Sequence, residues 1–297
     1  MSVLKASTHN PWRQELNNLV RGISGGFLFG IPLLYTMEVW WIGSSVEPLR
    51  LLIAIALTFT IVFLLNQTTG FRNTSDIRFR DAVVDSVEAI ALGIFCTSCV
   101  LVLFQEITLD TPLGEALGKL IYESVPFALG VALSNQLLND ESDEKQEQPE
   151  KQPKENKKQA GRNKQFDGTV ADVGATLIGG IIIAFSIAPT DEVPMLAAST
   201  AGPWLLGLIF ASLLISYAIV FAANFSNQSK RQQQKGIFQD PFSETVISYL
   251  VSLIAAALML WFFDKLTLSD PWSIWLRYTL ILGLPTTVGG AAGRLAV

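Results

Sequence analysis

Long apolar blocks separated by short polar stretches dominate this chain. Eight of them come close to the ~20 residues that a helix needs to cross a bilayer. They lie at roughly 22–42, 49–66, 82–104, 113–138, 170–189, 203–224, 242–263 and 272–293. They do not alternate in the way barrel strands do, and in lipid only helices and closed barrels can satisfy every backbone group. The pattern predicts an all-α, polytopic helical membrane protein with eight transmembrane helices. The segment 139–165, NDESDEKQEQPEKQPKENKKQAGRNKQ, is the opposite extreme. It is dense in Glu, Lys, Gln and Pro and cannot bury enough apolar surface to offset the entropy of ordering. The expected organisation is a tail at 1–20, a four-helix membrane unit at 21–138, a disordered charged linker at 139–168 and a second four-helix unit at 169–297.

Composition agrees with the pattern. Half of the chain is hydrophobic and 16% is charged, against about 25% charged in a soluble domain; the mean hydropathy is +0.39. The polar start, MSVLKASTHNPWRQELNNLVRG, lacks the short apolar core and small-residue cleavage site of a signal peptide. The first apolar block is therefore expected to remain as a helix. Charge then orients the spans. Lys5, Arg13 and Arg21 precede the first block, Arg72, Arg78 and Arg80 follow the second, and Lys230, Arg231 and Lys235 follow the sixth. The connection with Glu106 and Asp110 has no basic residue, and the one with Asp191 and Glu192 has none either. The basic excess falls on every second connection, which places both termini and the central linker in the cytoplasm.

The two halves resemble each other. At an offset of 159 residues, Asp85 falls on Glu244, Phe104 on Phe263, Thr108 on Thr267, Pro112 on Pro271, Pro126 on Pro285 and Gly130 on Gly289. At an offset of 154, Gly25-Gly26 falls on Gly179-Gly180, and Thr36-x-Glu38-Val39 falls on Thr190-x-Glu192-Val193. Four spans per unit would insert both units the same way up, as parallel repeats about an axis along the membrane normal. Gly22, Gly26 and Gly30 recur every four residues in the first block, and Thr176, Gly180 and Ala184 do so in the fifth. Small residues at this spacing let helix backbones approach closely.

The polar residues within or beside apolar blocks are the candidates for chemistry. Glu38 and Glu192 close the first and fifth blocks, each with a threonine two residues before it, Thr36 and Thr190. One reading is a pair of interfacial carboxylates facing water. The other is an oxygen-rich cation site, built with carbonyls that Pro32 and Pro189 leave without a backbone donor. Asp85 and Glu244 stand at aligned positions near the start of the third and seventh blocks. Glu123 lies mid-block, one turn from Pro126, and aligns with Leu282. An unpaired glutamate there costs on the order of 2–3 kcal/mol, so it is read either as an ion pair with Lys119 or as a lone protonatable group on a permeation path. Cys96 and Cys99 share a helix face, with no second pair and no histidine beside them, and are read as packing residues. The single histidine, His9, is in the tail. There is no HExxH, GxSxG or phosphate loop, so an enzyme is not expected. No cofactor and no nucleic-acid contact is expected either.

The stretch GGFLFGIPLLYTMEVWWIG, with APTDEVP in the second half, resembles a family of uncharacterised bacterial integral membrane proteins. Its members share a TMEMWW-like end to the first helix and an APTEE-like end to the fifth. Here Val39 stands in place of Met, and Asp191 in place of Glu. The resemblance implies a bacterial inner-membrane location and supplies no activity. From the residues, the expected function is a cation transporter or channel, with proton coupling as one form of it and the repeated acidic motifs as its site. The alternative is a non-transporting scaffold, assembly factor or sensor subunit. Its partners, besides the bilayer, would be a second copy or a soluble protein docked through residues 139–165.

Overall fold

The computed structural model describes residues 11–69, 79–134, 160–222 and 241–295. Ten α-helices carry the described chain: α1 (Pro11–Leu34), α2 (Met37–Ser44), α3 (Pro48–Thr69), α4 (Phe79–Leu103), α5 (Leu113–Leu133), α6 (Ala160–Ile187), α7 (Glu192–Ser199), α8 (Gly202–Tyr217), α9 (Pro241–Phe262) and α10 (Trp272–Leu295). A π-helical turn, Ala218–Ala222, extends α8. The order in each half is a long helix, a short bent one, a long one and then two more.

Five helices are long and apolar enough to cross a membrane, α3, α4, α5, α8 and α9, or up to seven if each bent pair is one span. The eight-span expectation differs from this count in two ways. First, the segment read as one span at 22–42 is two helices. α1 ends at Leu34, and α2 leaves it at 89°. Thr36, at the junction, is extended with φ −125° and ψ 94°, a conformation that suits a β-branched residue and cannot continue a helix. In the second half α6 ends at Ile187 and α7 leaves it at 88°. Pro189 biases the residue before it away from helix, and Thr190 donates to the Ile187 carbonyl through both N–H (3.1 Å) and Oγ1 (2.6 Å). Hydropathy alone cannot show such a bend, because the apolar pattern runs through it.

Second, α10 falls outside the apolar count although it has 24 residues. Every residue from Leu280 to Ala291 is buried. α10 packs against α6, α9, α8, α7 and α1. A helix enclosed by protein needs no bulky apolar coat, so Thr286, Thr287, Gly289 and Gly290 can line it. The tail and linker boundaries differ as well. α1 begins at Pro11, inside the stretch read as tail, and proline suits the first helical position. α6 begins at Ala160, inside the stretch read as linker. Residues 1–10 and 139–159 lie outside the described residues.

The tightest crossings occupy matching places. α1 crosses α5 where a methyl group on Gly25 would lie 2.5 Å from the Gly130 carbonyl oxygen. α6 crosses α10 where a methyl group on Gly289 would lie 2.5 Å from that of Gly179. Gly26 and Gly180, read from sequence as packing residues, do face the same neighbours, Phe127 O and Thr286 O. Gly30 faces the Phe127 ring, and Gly22 is buried. The closest approach nevertheless belongs to the other member of each Gly-Gly pair. The turns after α4 and α9 match too. Gln105 (φ 59°) and Asp264 (φ 58°) are the positive-φ non-glycine residues among the described ones, and the next N–H bonds back to Leu101 O and Leu260 O, 2.9 Å in each case. Beyond them, Asp270 accepts from Thr267 N–H (2.6 Å) and Oγ1 (2.8 Å). The Thr267 backbone and hydroxyl hold this half-buried carboxyl below the ordinary aspartate range.

Candidate functional site

The short helices place the candidate acids. α2 is seated on α5, with Gly43 against Gly118: a methyl group on Gly43 would lie 3.0 Å from the Gly118 carbonyl oxygen. Trp40 lies three residues before Gly43 and shares its face. It therefore also points at α5, where its indole N–H faces the Glu123 carboxylate without closing a hydrogen bond of normal geometry. Both side chains are buried, Glu123 at 1% exposure and Trp40 at 3%. Glu123 Oε1 has no hydrogen-bond partner. From α4, Thr97 Oγ1 donates to the Glu123 backbone oxygen at 3.4 Å.

Lys119 does not pair with Glu123. Its ammonium lies 3.0 Å from Glu115 and 3.3 Å from Glu106, and it also donates to the Glu106 carbonyl at 3.2 Å. The acidic turn after α4 gives that lysine better-solvated partners than a buried carboxylate one turn deeper in the helix.

In the second half the same junction is built with other residues. The positions aligned with Gly43 and Gly118 are Ala197 and Arg277. Arg277 on α10 donates to the Ala197 (3.2 Å) and Thr200 (2.9 Å) carbonyls, satisfying the last turn of α7. Leu282 stands where Glu123 stands in the first half. The acid is instead on the short helix: Glu192, the first residue of α7, is 6% exposed and its Oε2 has no hydrogen-bond partner. Its neighbour Asp191 is exposed and bonds Lys265 at 2.8 Å.

The repeated acidic motif therefore splits. Glu192 is buried and Glu38 is exposed in the first turn of α2. Thr36 marks the α1–α2 junction without a side-chain capping bond, and Thr190 Oγ1 is committed to Ile187 O. α2 packs on α5 and α7 packs on α10, and the two short helices share no extended interface among the described residues. Asp85, buried on α4, and Glu244, on α9, remain far along their helices from these acids. Among the described residues no three of His, Cys, Asp and Glu converge so that they could hold a metal ion. Cys96 is buried and Cys99 exposed, both as free thiols. His9 lies outside the described residues.

Three further residues carry weight that the sequence reading did not assign them. Arg294 is fully buried, pairs with Glu244 and stacks 5.5 Å above the Phe221 ring. The residues around this arginine in the sequence give no signal of its burial. Tyr35, at the α1–α2 break, donates 2.5 Å to the Ile281 carbonyl, the oxygen that Pro285 leaves without its helical N–H. Gln105, in its left-handed turn, accepts 2.6 Å from the Ala201 N–H at the start of α8. Both of the last two contacts tie one half to the other. The position of Pro285 implies an open Ile281 O, but not which group reaches it.

A family described as "Putative integral membrane protein (DUF2391)" matches residues 18–297. No curated protein and no solved structure matches the chain.

Proposed function

The chain belongs to the DUF2391 family of integral membrane proteins, and we propose that it moves a small cation across the bilayer, using Glu123 and Glu192. The observation that carries this reading is the burial of both carboxyls at the junction of a short bent helix and a last long helix, each with an oxygen that accepts no hydrogen bond. An intramembrane acid is expensive, on the order of 3 kcal/mol at a helix centre. A chain that only needed to span could place leucine at both sites, as it does at Leu282. Each half supplies one acid, on α5 in the first and on α7 in the second.

Eight spans and an internal duplication belong to the same reading. α10, enclosed and 24 residues long, serves as the eighth span, and each bent pair counts as one. The matched glycine crossings, the matched left-handed turns and the 89° and 88° bends support two parallel units. The alternating basic connections favour an inner (plasma) membrane protein with both termini cytoplasmic.

Purified protein in liposomes tests the reading, with proton, Na⁺, K⁺ and Ca²⁺ gradients applied in turn. Wild type is expected to pass at least one of these cations, and the Glu123→Gln, Glu192→Gln double variant to pass none while unfolding at the same temperature. Silence of the wild type towards every cation would overturn transport and favour a scaffold or sensor working through residues 139–165.

A further inference from the structure

We propose that the Glu123–Trp40 junction is a proton-binding site, and that the cation carried by this protein is the proton; the second clause rests on the transport reading above. The chemistry around the carboxylate selects the ligand. Ca²⁺ takes six to eight oxygen ligands, and Mg²⁺ takes six in a strict octahedron. Glu123 belongs to no cluster of the kind a metal needs: no three His, Cys, Asp or Glu converge so that they could hold a metal ion among the described residues. The group that faces it is an indole N–H, which can donate and cannot ligate. A metal ion at this carboxylate would meet the positive end of that N–H dipole. A proton meets no such conflict: it occupies one oxygen, and the other stays available to the indole. Thr97, on α4, directs its hydroxyl to the Glu123 backbone oxygen and not to the carboxylate.

Among the described residues, no charged group on the surrounding elements substitutes for the proton. On α5 itself, Lys119 and Glu115 bond each other, and Lys119 also holds Glu106. On α2, Glu38 is exposed. On α3, Arg50 is exposed, and so is Glu47 just before it. On α4, Thr97 is level with Glu123, so Glu88 is about 13 Å away along the helix and Asp85 about 18 Å; Arg80 and Asp81 lie further on. Cys96 and Cys99 are near the level of Thr97 and are neutral as thiols. On α1, the level of Phe127 is Gly30, which sets Arg21 about 13 Å away and Glu15 further still. A carboxylate so placed, in apolar surroundings and without a counter-charge, is neutralised by taking a proton.

Two measurements on the full chain test this. The first is infrared spectroscopy of the reconstituted protein. A protonated-carboxyl C=O band is expected that disappears in Glu123→Gln and shifts in Trp40→Phe, where the facing donor is lost. A wild type without a band attributable to Glu123 would overturn the site. The second is flux in liposomes containing a pH-sensitive dye, with Na⁺ and K⁺ followed separately. Acidification driven by a proton gradient is expected, absent in Glu123→Gln and partly retained in Glu123→Asp, which keeps a carboxyl. Flux of Na⁺ or K⁺ without protons would leave transport standing and overturn the proton. Proton flux unchanged by Glu123→Gln would overturn Glu123 as its carrier. A wild type that passes no cation would overturn transport and with it the carried proton, while the infrared band would still decide whether Glu123 binds one.

Discussion

At the scale of single residues, this bundle commits several of its buried polar groups to specific neighbours. Pro285 strips the Ile281 carbonyl of its helical donor, and Tyr35 supplies a replacement from the other half at 2.5 Å. Tyr35 also packs edge-on against Phe104, with ring centroids 5.5 Å apart. Tyr35→Phe keeps that ring contact and removes only the hydroxyl, leaving a buried acceptor unmade. The expected loss is about 1–3 kcal/mol, read as a lowered unfolding midpoint in detergent; an unchanged midpoint would mean that water or another donor reaches Ile281. Glu244 and Arg294 make a second commitment, and Lys119 with Glu106 and Glu115 a third. Against this background, Glu123 and Glu192 each keep a buried oxygen that accepts no hydrogen bond.

Among the helices, packing is decided by where backbones can touch. The α1–α5 and α6–α10 crossings close on Gly25 with Gly130 and on Gly179 with Gly289. Because interiors are packed at crystal-like density, an added methyl group must push the helices apart. Gly289→Ala is expected to cost about 1–3 kcal/mol. Gly114→Ala, where an added methyl group meets nothing within 4 Å, should be neutral or stabilising by at most about 1 kcal/mol. Unfolding of the two variants side by side checks this, and equal effects would show that the crossing is not tight. The same logic distinguishes the short helices. α2 rests on α5 glycine to glycine, whereas α7 is held to α10 by Arg277 through its terminal carbonyls. One position can thus hold a small residue or a long cation, because the task in both cases is to seat a short helix end.

For the whole molecule, the halves are joined through Tyr35–Ile281, Gln105–Ala201 and the packing of α1 on α10 and α4 on α8. The proposed eight-span topology makes a prediction of its own. In a Cys96→Ser, Cys99→Ser background, single cysteines introduced as Asp110→Cys and Ser269→Cys should react with an impermeant maleimide from outside intact cells. A Ser2→Cys variant should react only after lysis. Labelling of Asp110→Cys and Ser269→Cys from opposite sides would mean an odd number of spans between them and would rule out parallel units.

The sequence by itself determined the class of this protein. Length and uniformity of the apolar blocks are local properties, and they suffice to call for helices in lipid. Glycines likewise pointed to stretches where helices touch, because a missing side chain acts on its own backbone. The tertiary structure decided what depends on neighbours. Thr36-x-Glu38 and Thr190-x-Glu192 read alike, yet one glutamate is exposed and the other buried. The bend that carries each motif off its long helix is invisible to hydropathy, which counts residues and not directions. Lys119 was one turn from Glu123 in sequence and bonded elsewhere in space, because three-dimensional packing offered it Glu106, thirteen residues away. Arg294, unremarkable in the sequence, is the largest fully buried side chain among the described residues, since only the assembled bundle brings Glu244 and Phe221 to it.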